Sequence, residues 1–260
     1  MTMNKCKLCQ RNIANQKNSH IIPKFFTKNL FSNSPHRHAF LLSTGGVKKK
    51  IQDTFKEDHI LCDICERRIG ILETYVSIRL SRLDDRKYFA NHLPCRRGDF
   101  VYYKCPKINS KLAQLLFYSI MWRLKIYSGD AFSAVVMDAD VKEKLRIILN
   151  KHTCSSQDEL LENLDSAEID LPYPFVLIRP KEFLNPPHSP VAAATVVTGV
   201  HYINLADYLL IFHEKKSTVR PEYHEIANSG EDLFKIGISS NANWTGFNEI
   251  IFQQIAKSMR

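Results

Sequence analysis

Two cysteine pairs, Cys6-Lys-Leu-Cys9 and Cys62-Asp-Ile-Cys65, constrain this chain more than any other feature. Each pair has the two-residue spacing that lets one short turn present two thiolates, and two pairs supply the four ligands of a structural zinc site. The alternative is that these are four unrelated buried thiols. Because 52 residues separate Cys9 from Cys62, the segment between the pairs must be a structured insertion. We therefore predict a structural Zn²⁺ at Cys6, Cys9, Cys62 and Cys65, with a functional unit built around it.

Basic residues are concentrated at the start of the chain. Residues 1–52 contain ten Lys or Arg and no Asp or Glu, which leaves 26 basic and 27 acidic residues in the other 208. The whole formal charge of +9 therefore comes from the segment that carries the first cysteine pair. A basic surface confined to one part of a protein is typical of a polyanion binder, although it can also serve solubility alone. The predicted nucleic-acid-binding residues are Lys24, Lys28, Arg37, Lys48, Lys49 and Lys50.

Composition favours a soluble protein of a reducing compartment. The polar start lacks the apolar core of a signal peptide, and the longest apolar runs, such as 206–212, are far shorter than a membrane span of about 18 residues. Seven cysteines, four of them in close pairs, suit a metal site better than a disulfide framework. The sequence thus predicts a cytoplasmic location and no membrane association.

Apolar periodicity and turn residues predict a mixed order of helices and strands. Gly45-Gly46 is expected to be a hairpin turn, and residues 94–99 a polar break. The predicted strands are 19–22, 39–43, 47–52, 100–104, 175–179, 191–197, 208–213 and 234–238. The predicted helices are 24–31, 63–83, 110–125, 141–151, 157–164 and 245–258. Cys95, Cys105 and Cys154 have no partner at ligand spacing and are expected to be core residues or free thiols, and the Trp122-Arg123 pair is expected to belong to the core.

The segment Ser19-His20-Ile21-Ile22-Pro23 lies between the two cysteine pairs. With the pairs around it, this segment resembles the HNH, or His-Me finger, nucleases. In that family a β-hairpin ends in a histidine within a segment like Asp-His-Ile-x-Pro, a helix behind it supplies a metal ligand, and many members carry two cysteine pairs. The resemblance covers about residues 5 to 75.

Carried over by position, the resemblance implies catalytic roles for two residues. His20 matches the general base that takes a proton from the attacking water. Glu66, directly after Cys65, falls where the family places a ligand of the catalytic cation, Mg²⁺ or Mn²⁺. Ser19 stands where the family usually has an Asp or His ligand, and Glu73 lies two turns further along the same helix face. For Glu73 a second interpretation stays open, an exposed carboxylate that pairs with nearby arginines.

The chain departs from the family pattern at two points. Ser19 is a poorer cation ligand than aspartate, and Glu57-Asp58-His59 replaces the usual Asn before the second cysteine pair. These departures keep an alternative open, a catalytically inactive zinc-ribbon adaptor that binds nucleic acid or protein.

Together these inferences predict an α+β protein. A zinc-stapled ββα-metal (HNH-like) lobe is expected over residues 1–95, and an α+β accessory region of mixed helices and strands over 96–260. The expected activity is metal-dependent hydrolysis of phosphodiester bonds in DNA, with RNA as an alternative substrate and with phage defence or a mobile element as the setting. The C-terminal region is open to target selection, homodimerisation or a partner protein.

Overall fold

A computed structural model describes residues 4–32, 39–42, 48–81, 93–97, 100–166, 169–182, 191–230 and 233–258. The described residues of the N-terminal part form four short strands and two helices. They are β1 (Ser19–His20), α1 (Lys24–Ser32), β2 (Ala39–Leu42), β3 (Lys48–Ile51), β4 (Lys56–Glu57) and α2 (Asp63–Leu80). β1 and β4 pair antiparallel, with Ser19 opposite Glu57 and His20 opposite Lys56, and β2 pairs with β3. α1 and the β2–β3 pair therefore form an insertion between β1 and β4.

The rest of the described chain forms a seven-stranded sheet with four further helices. The strands are β5 (Leu93–Arg97), β6 (Phe100–Cys105), β7 (Phe175–Pro180), β8 (Val191–Val197), β9 (Val200–Leu205), β10 (Leu209–His213) and β11 (Phe234–Ser239). The helices are α3 (Ser110–Ile126), α4 (Ala139–His152), α5 (Gln157–Ser166) and α6 (Asn241–Ser258). The strand order is β5-β6-β11-β7-β10-β9-β8, and all pairs are antiparallel except β11 with β7.

The sheet is covered on both faces, because successive strand residues point to opposite sides. On β7, Phe175 and Leu177 belong to a large buried cluster that contains most of α3, whereas Val176 and Ile178 belong to a second cluster with residues of α6. α3 is buried on nearly all sides, as expected for a helix that is apolar around its circumference. Its first turn is capped by Asn109, whose side chain accepts a hydrogen bond from the Leu112 amide at 3.1 Å.

The larger cluster continues from the sheet into the N-terminal part. It includes Cys6, Cys62 and Cys65 as well as Ile21, Ile22 and the buried side of α2. α3 thus packs between the sheet and the elements that carry both cysteine pairs. Strand β5 spans the predicted lobe boundary at residue 95, and that boundary stays a prediction.

The structure confirms the α+β class and most predicted elements. Strand β4, a two-residue strand that pairs with β1, was not predicted, and two further elements need correction. Residues 94–97, predicted as a polar break, lie in β5; this is an edge strand, where Pro94 removes no necessary ladder hydrogen bond. β9 was not predicted, because the polar residues His201 and Asn204 interrupt its apolar pattern, although the strand is buried throughout. The predicted Gly45-Gly46 turn lies outside the described residues.

Among the described helices, none combines the length and the apolar character that a membrane span requires.

Candidate functional site

Backbone hydrogen bonds within the first cysteine turn, and between it and the residues before Cys62, hold the two cysteine pairs in place. In the first turn the Cys6 amide donates to Asn12 O at 2.8 Å, and the Gln10 amide donates to Cys6 O at 2.9 Å. The Lys7 amide donates to Ile60 O at 2.8 Å, and the Gln16 amide to Leu61 O at 3.1 Å. These bonds join the first cysteine turn to the residues just before Cys62. The second pair then lies at the start of α2, with Cys62 as its N-cap.

The four cysteines converge as predicted, and their sulfur atoms all lie within 4.8 Å of one another. The Cys9 and Cys62 Sγ atoms are 3.9 Å apart, and Asn12 Nδ2 donates to Cys62 Sγ at 3.6 Å. The Cys65 thiol and nearby backbone amides lower the pKa of Cys6 to about 4, whereas the same contact with Cys6, together with burial, raises the pKa of Cys65. Crowded thiols resist simultaneous ionisation unless a cation compensates the charge. The cluster can therefore hold a metal ion, and its all-sulfur set suits Zn²⁺.

Ser19 and Glu66, 47 residues apart, are in direct contact. Ser19 Oγ donates to Glu66 Oε2 at 2.8 Å, and Ser19 is almost fully buried. β1 places Ser19 toward α2 because its neighbour β4 leads directly into the second cysteine turn. The residue before His20 and the residue after Cys65 thus form one hydroxyl–carboxylate pair.

His20 follows Ser19 on β1, opposite Lys56 of β4. Its Nε2 lies 3.5 Å from Asp53 Oδ1, a distance that is long for a hydrogen bond but within electrostatic reach. Burial alone would raise the pKa of Asp53, but the Lys56 ammonium at 2.7 Å and the Thr54 amide lower it overall. An ionised Asp53 favours the tautomer of His20 that carries its proton on Nε2, which leaves Nδ1 as the basic nitrogen. The His20 side chain is 27% exposed and so can meet a ligand.

Glu73 is engaged by a buried arginine from the second half of the chain. Arg123 Nη1 donates to Glu73 Oε1 and to the backbone carbonyl of His20, both at 2.7 Å. The same guanidinium donates to Ser119 O and Ser119 Oγ. Arg123 therefore joins α2, α3 and the strand that carries His20. Glu73 thus pairs with an arginine, as its second interpretation expects, but its side chain is half-buried rather than exposed, and its role as a cation ligand stays a prediction.

Within the described ranges, the four cysteines are the only group of three or more His, Cys, Asp or Glu side chains with ligand atoms within 4.8 Å of one another. Glu66 and Ser19 are brought together, but His20, Glu66 and Glu73 do not form a second cluster by this measure. The assignment of a catalytic cation to Glu66, Ser19 and Glu73 stays a prediction.

The predicted nucleic-acid-binding lysines lie on the insertion between β1 and β4. Lys24 and Lys28 are exposed on α1, one helical turn apart, and Lys50 is exposed on β3. Lys48 and Lys49 also lie on β3, and Arg37 lies outside the described residues. Their role in binding stays a prediction.

Cys105, Cys154, Trp122 and Arg123 are buried as expected, and Cys95 is half-buried. The sequence did not identify Asp53 or Arg123 as neighbours of His20. Asp53 is 33 residues from His20 and approaches it through the β1–β4 pairing. Arg123 is 103 residues away, and its only local signal is an arginine within an apolar helix.

No protein-family model, curated protein or solved structure matches the chain.

Proposed function

We propose that this chain is an HNH-like metal-dependent endonuclease that hydrolyses phosphodiester bonds in DNA. The observation that carries the proposal is the 2.8 Å contact of Ser19 with Glu66 beside His20. β1, β4 and α2 follow one another as strand, strand and helix, interrupted by the insertion of residues 24–51. This order agrees with the ββα unit that the resemblance implies, and the cysteine cluster lies at the start of its helix.

The residues around His20 support general-base chemistry. Asp53 favours the Nε2–H tautomer, so Nδ1 would take the proton of the attacking water. The half-exposed side chain allows a phosphate and its water to approach. Arg123 holds the His20 carbonyl and thereby fixes the backbone from which the imidazole projects.

Glu66 and Ser19 offer the oxygen donors that hard divalent cations prefer. One carboxylate and one hydroxyl make a weak protein site, so water and substrate oxygens would complete the shell around Mg²⁺ or Mn²⁺. Such a cation, when bound, supplies neutralisation of the negative charge that develops on the phosphate oxygens. The Glu73 carboxylate is already compensated by Arg123, so the proposal relies on Glu66.

A second candidate is a nucleic-acid-binding adaptor without catalysis. It is favoured by the Glu73–Arg123 ion pair and by Ser19 in place of an acidic ligand. Both candidates use the basic N-terminal segment to bind phosphates. They differ only in cleavage.

The test is a plasmid-nicking assay with Mg²⁺ or Mn²⁺. We expect His20→Ala to reduce the nicking rate by about 100-fold or more, because a general base contributes about 10²–10⁴. Asp53→Asn should reduce it by about 10- to 100-fold, as expected for a group that orients a functional side chain. His224→Ala, on an exposed histidine far along the chain, is the matched control and should nick normally.

Equal nicking by the wild type and His20→Ala would show that the nicking does not depend on His20 and so does not come from the proposed site. If no divalent metal supports nicking while the protein still binds DNA, the adaptor is correct and the endonuclease is wrong. Metal content measured on each preparation confirms that the variants keep the cysteine cluster.

A further inference from the structure

A cavity of about 340 Å³ lies beside the cysteine cluster, between the first cysteine turn, α2 and α4. Its polar lining consists of Arg11, Asn12, Arg68 and Asn150, and the rest comes from Ile64 and two of the four cysteines. The volume is at the lower end of the range for small-ligand sites, about 300–1,000 Å³. No carboxylate is among these lining residues.

The two arginines of this cavity differ from other arginines in the described chain. Arg67, Arg123 and Arg146 each pair with a carboxylate. Among described residues, neither Arg11 nor Arg68 has an ion pair or side-chain hydrogen bond. The Arg68 Nε atom is buried and has no acceptor within the described part of the chain. Two guanidiniums that share one cavity without a counter-charge create a site for an anion.

The cysteine cluster itself is the competing counter-charge, because four thiolates on a divalent ion carry a net charge of −2. However, Arg68 Nε makes no hydrogen bond to sulfur, and the side-chain donor that does reach the cluster is the amide of Asn12. The guanidiniums therefore keep hydrogen-bonding capacity for a ligand in the cavity. Asn12 and Asn150 add neutral donors beside them.

We propose that this cavity binds a phosphate group of the nucleic-acid backbone. The fork of a guanidinium matches two phosphate oxygens, and the first 52 residues of the sequence, which supply Arg11, contain no acidic residue. The inference rests on the proposed function for the identity of the polyanion. It adds Arg11 and Arg68 as contacts that lie outside the predicted basic insertion.

This phosphate site is separate from the site around His20. On an α-helix two positions differ by about 200°, so Arg68 and Glu66 lie on nearly opposite sides of α2. Glu66 contacts Ser19 on one side, and Arg68 lines the cavity on the other. The cavity therefore holds a flanking phosphate and leaves the scissile phosphate to His20.

The test is the salt dependence of binding of the full-length, metal-loaded protein to duplex DNA, without Mg²⁺, between about 50 and 200 mM salt. Each lost phosphate contact lowers the slope of log affinity against log salt by about one. We expect this change for Arg68→Gln, and about twice the change for Arg11→Gln with Arg68→Gln. Arg67→Gln, its exposed neighbour on α2 that pairs with Asp63, should leave the slope unchanged.

The proposal is overturned if Arg68→Gln keeps the wild-type slope, or if its affinity falls only together with its metal content. The second result would assign the arginines to charge compensation of the cysteine cluster. A second measurement adds inorganic phosphate alone: if phosphate raises the melting temperature of the wild type but not of Arg68→Gln, while the DNA slope is unchanged, the site takes free phosphate and the nucleic-acid assignment is wrong.

The nicking assay separates this inference from the proposed function. Nicking that depends on His20, with an unchanged slope in Arg68→Gln, overturns the cavity assignment alone. A reduced slope in a protein that nicks no DNA supports the phosphate site and overturns the endonuclease.

Discussion

Asp53 changes what the imidazole of His20 can do. A carboxylate near Nε2 stabilises the tautomer that carries its proton there and leaves Nδ1 as the basic nitrogen. The sequence singles out Ser19, His20 and Glu66 as candidates because they stand at fixed positions relative to Pro23 and the cysteines, and their catalytic roles stay predictions. Asp53 was not singled out in this way. Its approach to His20, 33 residues earlier in the chain, depends on the pairing of β4 with β1.

His201, a buried histidine of the sheet, is the centre of a group of hydrogen-bonded side chains. His201 lies between Glu214, at 2.9 Å from its Nε2, and Thr195, at 2.8 Å from its Nδ1. Thr195 Oγ1 also accepts from the Val136 amide at 2.7 Å, so this group attaches the loop before α4 to β8. These contacts satisfy every polar atom of the imidazole, which explains a fully buried histidine in β9.

His213 makes stability depend on pH. Burial, with the nearby His201 and Arg220, lowers its pKa from 6.5 to about 4. Below about pH 6.5 the unfolded chain binds a proton that the folded chain refuses until about pH 4. The unfolding free energy should therefore fall as the pH decreases through this window, by about 2–3 kcal/mol from this one group. Urea unfolding between about pH 4.5 and 7.5 measures the slope.

His213→Asn should remove this part of the slope, whatever its effect on stability at neutral pH. His201 has a lowered pKa for the same reason, burial, so part of the slope should persist. The exposed His224→Asn is the control and should keep the wild-type slope. A slope that is identical in His213→Asn and the wild type would contradict the assignment.

At the scale of elements, the unpredicted strands share a physical cause. β9 follows β8 through Thr198-Gly199, and Gly199 has a positive φ (73°), the left-handed conformation that glycine adopts without steric cost and that the third position of a type II turn requires. Neither this turn nor β9 was predicted, because the polar residues His201 and Asn204 interrupt the apolar pattern of the strand. Asn204 Nδ2 donates to Asn248 Oδ1 of α6, a partner that only the tertiary structure supplies. β5 is likewise stabilised by its pairing with β6 rather than by its own propensity.

α3 packs between the sheet and the elements around His20, and its Arg123 makes the polar contacts with those elements. Arg123→Met should lower the unfolding free energy by about 3 kcal/mol, because it leaves the partly buried Glu73 and the His20 carbonyl without their donor. Arg67→Met, which breaks an exposed pair with Asp63, should cost less than about 1 kcal/mol. Denaturant unfolding compares the two variants.

A double variant without either charge tests the ion pair more directly than the single variants do. Glu73→Gln combined with Arg123→Met should be less destabilised than the sum of the single variants, because the unpaired carboxylate is gone. If the effects are additive, or if Arg123→Met lies within about 0.5 kcal/mol of the wild type, the ion pair does not join α2 to α3 as described.

In the whole molecule, the cysteine turns are attached to the remainder by a few specific bonds. Lys7 Nζ donates to Ile126 O at the end of α3, and Arg146 Nη1 donates from α4 to Leu8 O at 2.8 Å. The buried cluster is continuous from Cys6 to the sheet. Loss of the cysteine cluster should therefore destabilise α2 first and then the molecule as a whole.

Metal removal tests this order of events. Metal analysis should find about one tightly held Zn²⁺ per chain. A chelator, or Cys62→Ser, should lower the melting temperature and increase hydrogen exchange in residues 4–22 and 55–70, since the turns there depend on ligands that repel one another without a cation. Cys154→Ser, on a buried cysteine outside the cluster, is the control for loss of a thiol and should keep both the metal and the exchange pattern. Full metal content in Cys62→Ser would show that the ligand set is wrong, and unchanged exchange after chelation would show that the turns are stable without it.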